Sequence, residues 1–169
     1  MPFYDESNYT PEQSLGYLVR RIHQLNTALL DPIFASEGLT HAQWSAMMSI
    51  QFGRATSCAA IARDIAHDKG ATTRLIDTLE ERGFVVRTRA PDDRRCINLA
   101  LTPAGTDVAT RLLHQSMQLL NGWLDGWSQE EVATLIGQLQ RLRDRMQAVA
   151  DGTVGLPGFV TVRPEEAKA

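Results

Sequence analysis

Two cysteines, Cys58 and Cys96, are all the thiols in the 169-residue chain, too few for a disulfide framework. Long apolar runs are absent as well: none approaches the roughly 18 residues that a membrane-spanning helix requires. Residues 1–6 lack the basic start and apolar middle of an export signal, so a cytoplasmic protein with no membrane partner is expected. Catalytic signatures are missing too. The chain has no glycine-rich phosphate loop, no Gly-x-Ser-x-Gly elbow and no His-Glu-x-x-His. Cys58 and His67 could pair as nucleophile and base, but nothing supplies an orienting third group or an oxyanion site, so no enzyme is expected. His23, His41 and His114 are scattered along the sequence without tight metal-ligand spacing, so neither a metal nor a cofactor is expected. There is no internal repeat and no low-complexity tract.

What is present is an ordinary globular composition, 43% hydrophobic and 22% charged, with an uneven distribution of charge. The net charge is −3, which on its face argues against a nucleic-acid partner. Residues 54–95, however, hold nine of the 17 Lys and Arg against seven of the 20 Asp and Glu. One block is mildly basic and the rest acidic, which leaves room for a focused anionic partner.

Along the chain, local signals define a succession of elements. Thr10-Pro11-Glu12-Gln13 reads as a helix start, with Thr10 as cap and Gln13 closing a capping box. Leu15, Leu18, Ile22, Leu25 and Leu29 then recur in steps of three and four, one stripe of a helix reaching about Ala35 and interrupted at Pro32. Gly38 terminates it, and Thr40-x-x-Gln43 opens a second helix carrying Trp44, Met47, Met48 and Phe52. After Gly53 a short helix presents Ile61, Ala62 and Ile65 on one face. Asp68 caps another, whose inward stripe is Thr72, Leu75, Ile76 and Leu79, and Gly83 ends it. Residues 84–89 and 96–101 read as two strands joined by the charged turn 90–95. Thr102-Pro103 begins a long fifth helix with Val108, Leu112, Leu119, Leu120, Trp123 and Leu124 among its apolar residues. Ser128-x-x-Glu131 opens the sixth, whose Val132, Leu135, Leu139, Leu142, Met146 and Val149 form a strict three-four seam.

Two helices followed by a hairpin with a basic tip is the order of a winged helix-turn-helix. The expected fold is therefore mainly α, a winged helix-turn-helix over residues 39–103. It would be flanked by dimerisation helices in 1–38 and 104–150, with a tail from 151 to 169. The long apolar seams want partners, which favours a homodimer over packing of the seams on one another within one chain.

Asp68-Lys69-Gly70-Ala71-Thr72-Thr73-Arg74-Leu75-Ile76-Asp77-Thr78-Leu79-Glu80-Glu81-Arg82-Gly83-Phe84-Val85 resembles the recognition helix and following turn of MarR-family regulators. The wing Asp92-Asp93-Arg94-Arg95 and the exit Leu99-Ala100-Leu101-Thr102-Pro103-Ala104-Gly105 are similar to the same family. With Ile61-Ala62 and the flanking helices, the resemblance spans about residues 12–149. It implies a ligand-responsive repressor binding a pseudo-palindromic, double-stranded promoter operator.

Residue chemistry agrees with that implication. A helix entering the major groove needs an apolar inner face and a short, polar, donor-bearing outer face near its N-terminus. Lys69, Gly70, Thr73, Arg74 and Thr78 fall outside the buried stripe. Arg74 could span two acceptors on a guanine edge, Thr73 could reach a phosphate or base, and Gly70 lets the backbone approach. An exposed helix with ordinary surface charge is the plainer reading, and Asp77, Glu80 and Glu81 fit it at the far end. In the family the wing arginine enters the minor groove and a nearby aspartate braces it, roles that Arg94 and Asp92 match, with Arg95 beside them. Arg87 and Arg89 on the hairpin are expected to hold flanking phosphates. Two departures from the family pattern stand out: Gly70-Ala71 where a Ser or Thr pair is common, and Ala66-His67 in place of a frequent Gly-Val turn.

The resemblance also implies that a small aromatic or phenolic effector binds between the DNA-binding and dimerisation parts. Arg20, His23, His41 and Trp44 are the candidate contacts, although Trp44 also suits a core and Arg20 a solvated helix face. Cys58 and Cys96 read as buried small hydrophobes rather than oxidant sensors. The rival from another class is a winged-helix protein-interaction module that does not bind specific DNA.

Overall fold

The computed structural model describes residues 3–89 and 97–155. Helix α1 spans Leu15–Ala35, α2 His41–Gln51, α3 Cys58–Asp64 and α4 Lys69–Glu81; strands β1 (Val85–Arg89) and β2 (Ile97–Leu101) follow, then α5 (Pro103–Trp123) and α6 (Gln129–Ala150). The chain divides into two units between Leu119 and Leu120.

Caps and glycines fix most of these boundaries. Thr40 and Gln43 form the reciprocal capping box of α2, Asp68 accepts from the amide of Ala71 to start α4, and Ser128 and Glu131 box the start of α6. The first helix begins differently from expectation. Thr10 makes no side-chain cap; residues 11–13 form a single 3₁₀ turn and Ser14 caps α1 by accepting from Tyr17. Ser14 is buried, and its hydroxyl donates to the Pro11 carbonyl, so it closes both turns. Pro32 sits inside α1 without ending it. Leu124 lies one residue beyond the end of α5.

The core of the first unit forms around α2. Residues 46–50 are all buried, so this helix is covered on every side rather than along one stripe. Leu30 and Phe34 of α1, Ile61 of α3, Ile76 and Leu79 of α4, and Val108, Ala109 and Leu112 of α5 complete the same cluster. The first turns of α5 help build that core, and the division of the chain falls inside α5. In the second unit, the apolar seam of α6 is open: Leu135, Ile136, Leu139 and Met146 are all exposed.

The two strands pair antiparallel with Val85 opposite Leu101 and Arg87 opposite Leu99. The loop before α3 also meets the sheet: the Leu99 amide donates to the Thr56 carbonyl at 2.8 Å. The hairpin is also tied to α5 at its root. Thr102 donates from its amide to the Phe84 carbonyl and from its hydroxyl to the Gly83 carbonyl at 2.6 Å. Arg82, just past α4, reaches across to the end of α1 and donates to the Glu37 and Gly38 carbonyls, both at 2.6 Å. The Glu37 carboxylate in turn accepts from Arg111 of α5 at 2.8 Å. Helix α4 is thus pinned at its C-terminal end to both flanking helices.

Candidate nucleic-acid interface

Helices α3 and α4 and the turn 65–68 form the helix-turn-helix. Ile61 and Ala62 bury one face of α3, while Thr72, Leu75, Ile76 and Leu79 bury one face of α4. Between them Ala66 takes the left-handed conformation with φ 51°, the position where glycine is more usual, at a cost of roughly 1 kcal/mol. His67 is exposed, with Nδ1 3.4 Å from the hydroxyl of Thr72. Thr72 itself is fully buried and donates back to the Asp68 carbonyl, so it belongs to the packing and not to the outer surface.

The outer face of α4 is the one that Lys69, Gly70, Thr73, Arg74 and Thr78 occupy, and all five are exposed. Lys69 and Arg74 have no ion-pair partner among the described residues. The Thr73 and Thr78 hydroxyls donate to the Lys69 and Arg74 carbonyls one turn back, each at 3.0 Å. With their protons engaged in this way, they offer lone pairs outward, which suits amino groups on base edges better than phosphates. A Cβ added at Gly70 would meet only Asp68 Oδ1, at 3.3 Å. The chain's own packing therefore makes little demand for glycine there. The uncapped amides of the first turn lie at the positive end of the helix dipole, a setting for an anion.

Arg87 departs from expectation. Its guanidinium does not face outward but bridges to α4, donating through Nη2 to Asp77 Oδ1 at 2.6 Å and through Nη1 to Glu80 Oε2. The hydrogen bond to Asp77, with help from Glu80 and the adjacent Cys58 thiol, holds Arg87 above the ordinary arginine range despite partial burial. The reason is strand alternation. Val85 is buried and Arg87 lies two residues on, on the same face and opposite buried Leu99. Cys58 is only partly buried and sits beside this cation, not in a purely apolar site. Arg89 ends β1. The expected wing contacts Asp92, Arg94 and Arg95, together with Cys96, lie outside the described residues.

The four candidate effector contacts separate into two places. His41 and Trp44 pack on Phe34: the Phe34 and Trp44 rings stack at 4.5 Å, and His41 meets Phe34 edge-on at 5.1 Å. His41 Nδ1 lies 3.4 Å from an Asp31 oxygen, close enough for attraction but not aligned as a hydrogen bond, and the buried Trp44 Nε1 has no acceptor among the described residues. Arg20 and His23 are exposed on α1, and Arg20 lies over the Tyr17 ring. At 1.5 Å rise per residue, Arg20 stands roughly 21 Å along the helix from Phe34. Among the described residues no group of three potential metal ligands converges, and no helix is long and apolar enough to cross a membrane.

Taken together, the capped α4, the short preceding helix and the strand pair define a winged helix-turn-helix protein. Residues 39–97 match the MarR family model. A candidate transcriptional regulator of the hcr operon from Thauera aromatica is 32% identical over 112 residues, covering 65% of this chain and 66% of that protein. The multiple antibiotic resistance protein MarR of Escherichia coli is 28% identical over 123 residues, 72% of this chain and 85% of its own length. Among solved structures, a mutant of that MarR in complex with operator DNA superimposes with a TM-score of 0.65 at 28% identity, covering 76% of this chain and 92% of the other. BpsR of Bordetella bronchiseptica, solved in a study of how 6-hydroxynicotinic acid regulates its DNA binding, shares the fold with a TM-score of 0.69 at 23% identity, over 80% of this chain and 97% of its own. The chain belongs to the MarR family of transcriptional regulators.

Proposed function

We propose that this protein is a homodimeric repressor that binds a pseudo-palindromic operator, with one α4 in each of two successive major grooves and the wings in the flanking minor grooves. The observation that carries the reading is the outer face of α4, where Lys69 and Arg74 are exposed, with no ion-pair partner among the described residues, beside two threonine hydroxyls and Gly70. A free guanidinium near a helix N-terminus, flanked by small side chains, is what direct readout of a guanine edge requires. Binding over a promoter would exclude polymerase, hence repression.

Support for dimerisation comes from the exposed apolar row of α1, where Leu15, Leu18, Ile22, Leu25 and Leu29 are 43–64% exposed, and from the open seam of α6. Contiguous apolar surface of this kind marks an association site. Residues 1–38 and 104–150 would then supply the dimerisation helices. A small aromatic or phenolic acid is the proposed effector. Its support is the His41–Trp44 cluster, in which a buried indole N–H finds no acceptor among the described residues, one that a carboxylate could provide.

The test is a hydroxyl-radical footprint of the protein on the DNA upstream of its own gene, with unrelated DNA in excess. The expected pattern is two protected patches on one face of the duplex, their centres roughly 34 Å apart. A uniform, competitor-sensitive pattern would defeat the reading and favour a protein-interaction module.

A further inference from the structure

The guanidinium of Arg87 on β1 is engaged by α4 rather than presented outward. Its two guanidinium nitrogens are divided between two carboxylates, Asp77 and Glu80, three residues apart on the same face of α4. The side chain is only 26% exposed, while Lys69 and Arg74 on the outer face are exposed. To reach a phosphate, Arg87 would have to leave both carboxylates, and two uncompensated negative charges would then face a polyanion. A planar fork with two donors also fixes direction as well as distance, which a single ammonium does not.

We propose that Arg87 is a positioning residue: by bridging β1 to Asp77 and Glu80, it sets the wing hairpin at a fixed angle to the recognition helix, so that both meet one stretch of DNA together. The bridge also offsets part of the negative charge on α4. This inference rests on the DNA-binding reading above and replaces the expectation that Arg87 clamps a phosphate.

The test compares Arg87→Gln, Arg87→Lys and the double variant Asp77→Asn/Glu80→Gln with the wild type in DNA titrations over a salt series. Positioning predicts that all three lose affinity by roughly tenfold, as befits a charge-assisted, two-point contact. It also predicts that the salt slope of Arg87→Gln matches the wild type. A phosphate contact predicts the opposite on each count. Its slope falls by about 0.9 when Arg87 is neutralised, lysine restores binding, and removing the two carboxylates tightens it. Any of those three results overturns the proposal. A second arm measures hydrogen–deuterium exchange of the β1 amides in the free protein. Faster exchange in Arg87→Lys and in the double variant is expected, and unchanged exchange overturns the clamp. That arm needs no DNA, so a wild type that binds none would defeat the DNA-binding reading while exchange still judges the bridge.

Discussion

Replacing Gly105 by alanine is expected to destabilise the fold by about 3 kcal/mol, at the upper end of the usual cost of overpacking a well-packed site. On helix propensity alone the change should help, since alanine favours a helix over glycine by roughly 1 kcal/mol. Packing reverses the sign. A Cβ at Gly105 would lie 2.0 Å from the Phe84 carbonyl oxygen and 2.8 Å from its carbon. That carbonyl cannot give way easily, because it accepts from the Thr102 amide at 3.0 Å, while the Thr102 hydroxyl holds both the Gly83 carbonyl and the Gly105 amide. Relief requires α5 to lift from the root of the hairpin, and Val108, Ala109 and Leu112 would leave the core with it. Urea unfolding of Gly105→Ala against wild type measures the effect. A variant as stable as the parent would contradict the described contact between α5 and the hairpin.

Ile22→Asp is expected to abolish dimerisation while leaving the protomer folded. Ile22 is 64% exposed, so within one chain an aspartate there displaces no packing. In the proposed dimer it would bury an unpaired charge in an apolar seam, which several kcal/mol of association energy would not offset. Sedimentation should then report the 18.8 kDa protomer instead of a species of twice that mass. Circular dichroism should be unchanged. Operator affinity should fall by roughly two orders of magnitude or more, because the two half-sites are no longer met by one linked body. An unchanged mass would remove α1 from the proposed interface.

How far the sequence foretold these arrangements depends on the reach of each signal. The boxes at Thr40–Gln43 and Ser128–Glu131, the Asp68 cap and the inward stripe of α4 are written in residues three or four apart, and the structure has them as read. The start of α1 is ambiguous between two nearby hydroxyls, since Thr10 and Ser14 both precede good helix residues and only the 3₁₀ turn decides between them. Arg87 was legible in part. Alternation from Val85 turns it inward, yet that its partners would be two carboxylates of α4 depends on how the hairpin packs. The reach of Arg82 to carbonyls 44 and 45 residues away, and the contact of Thr56 with Leu99, leave no local trace at all. The effector candidates show the same limit. His41 and Trp44 meet Phe34 through the turn between α1 and α2, whereas Arg20 and His23 belong to another stretch of the helix.

If α4 reads DNA with its exposed outer face, Arg74→Ala should weaken specific binding. Fluorescence anisotropy of wild type and variant on the protein's own upstream DNA, with unrelated competitor and a salt series, gives both affinity and specificity. The wild type should bind tightly and resist the competitor. The variant should lose tenfold or more, the usual worth of a bidentate base contact. Binding no stronger than to unrelated DNA, or indifferent to Arg74, would contradict DNA reading by α4.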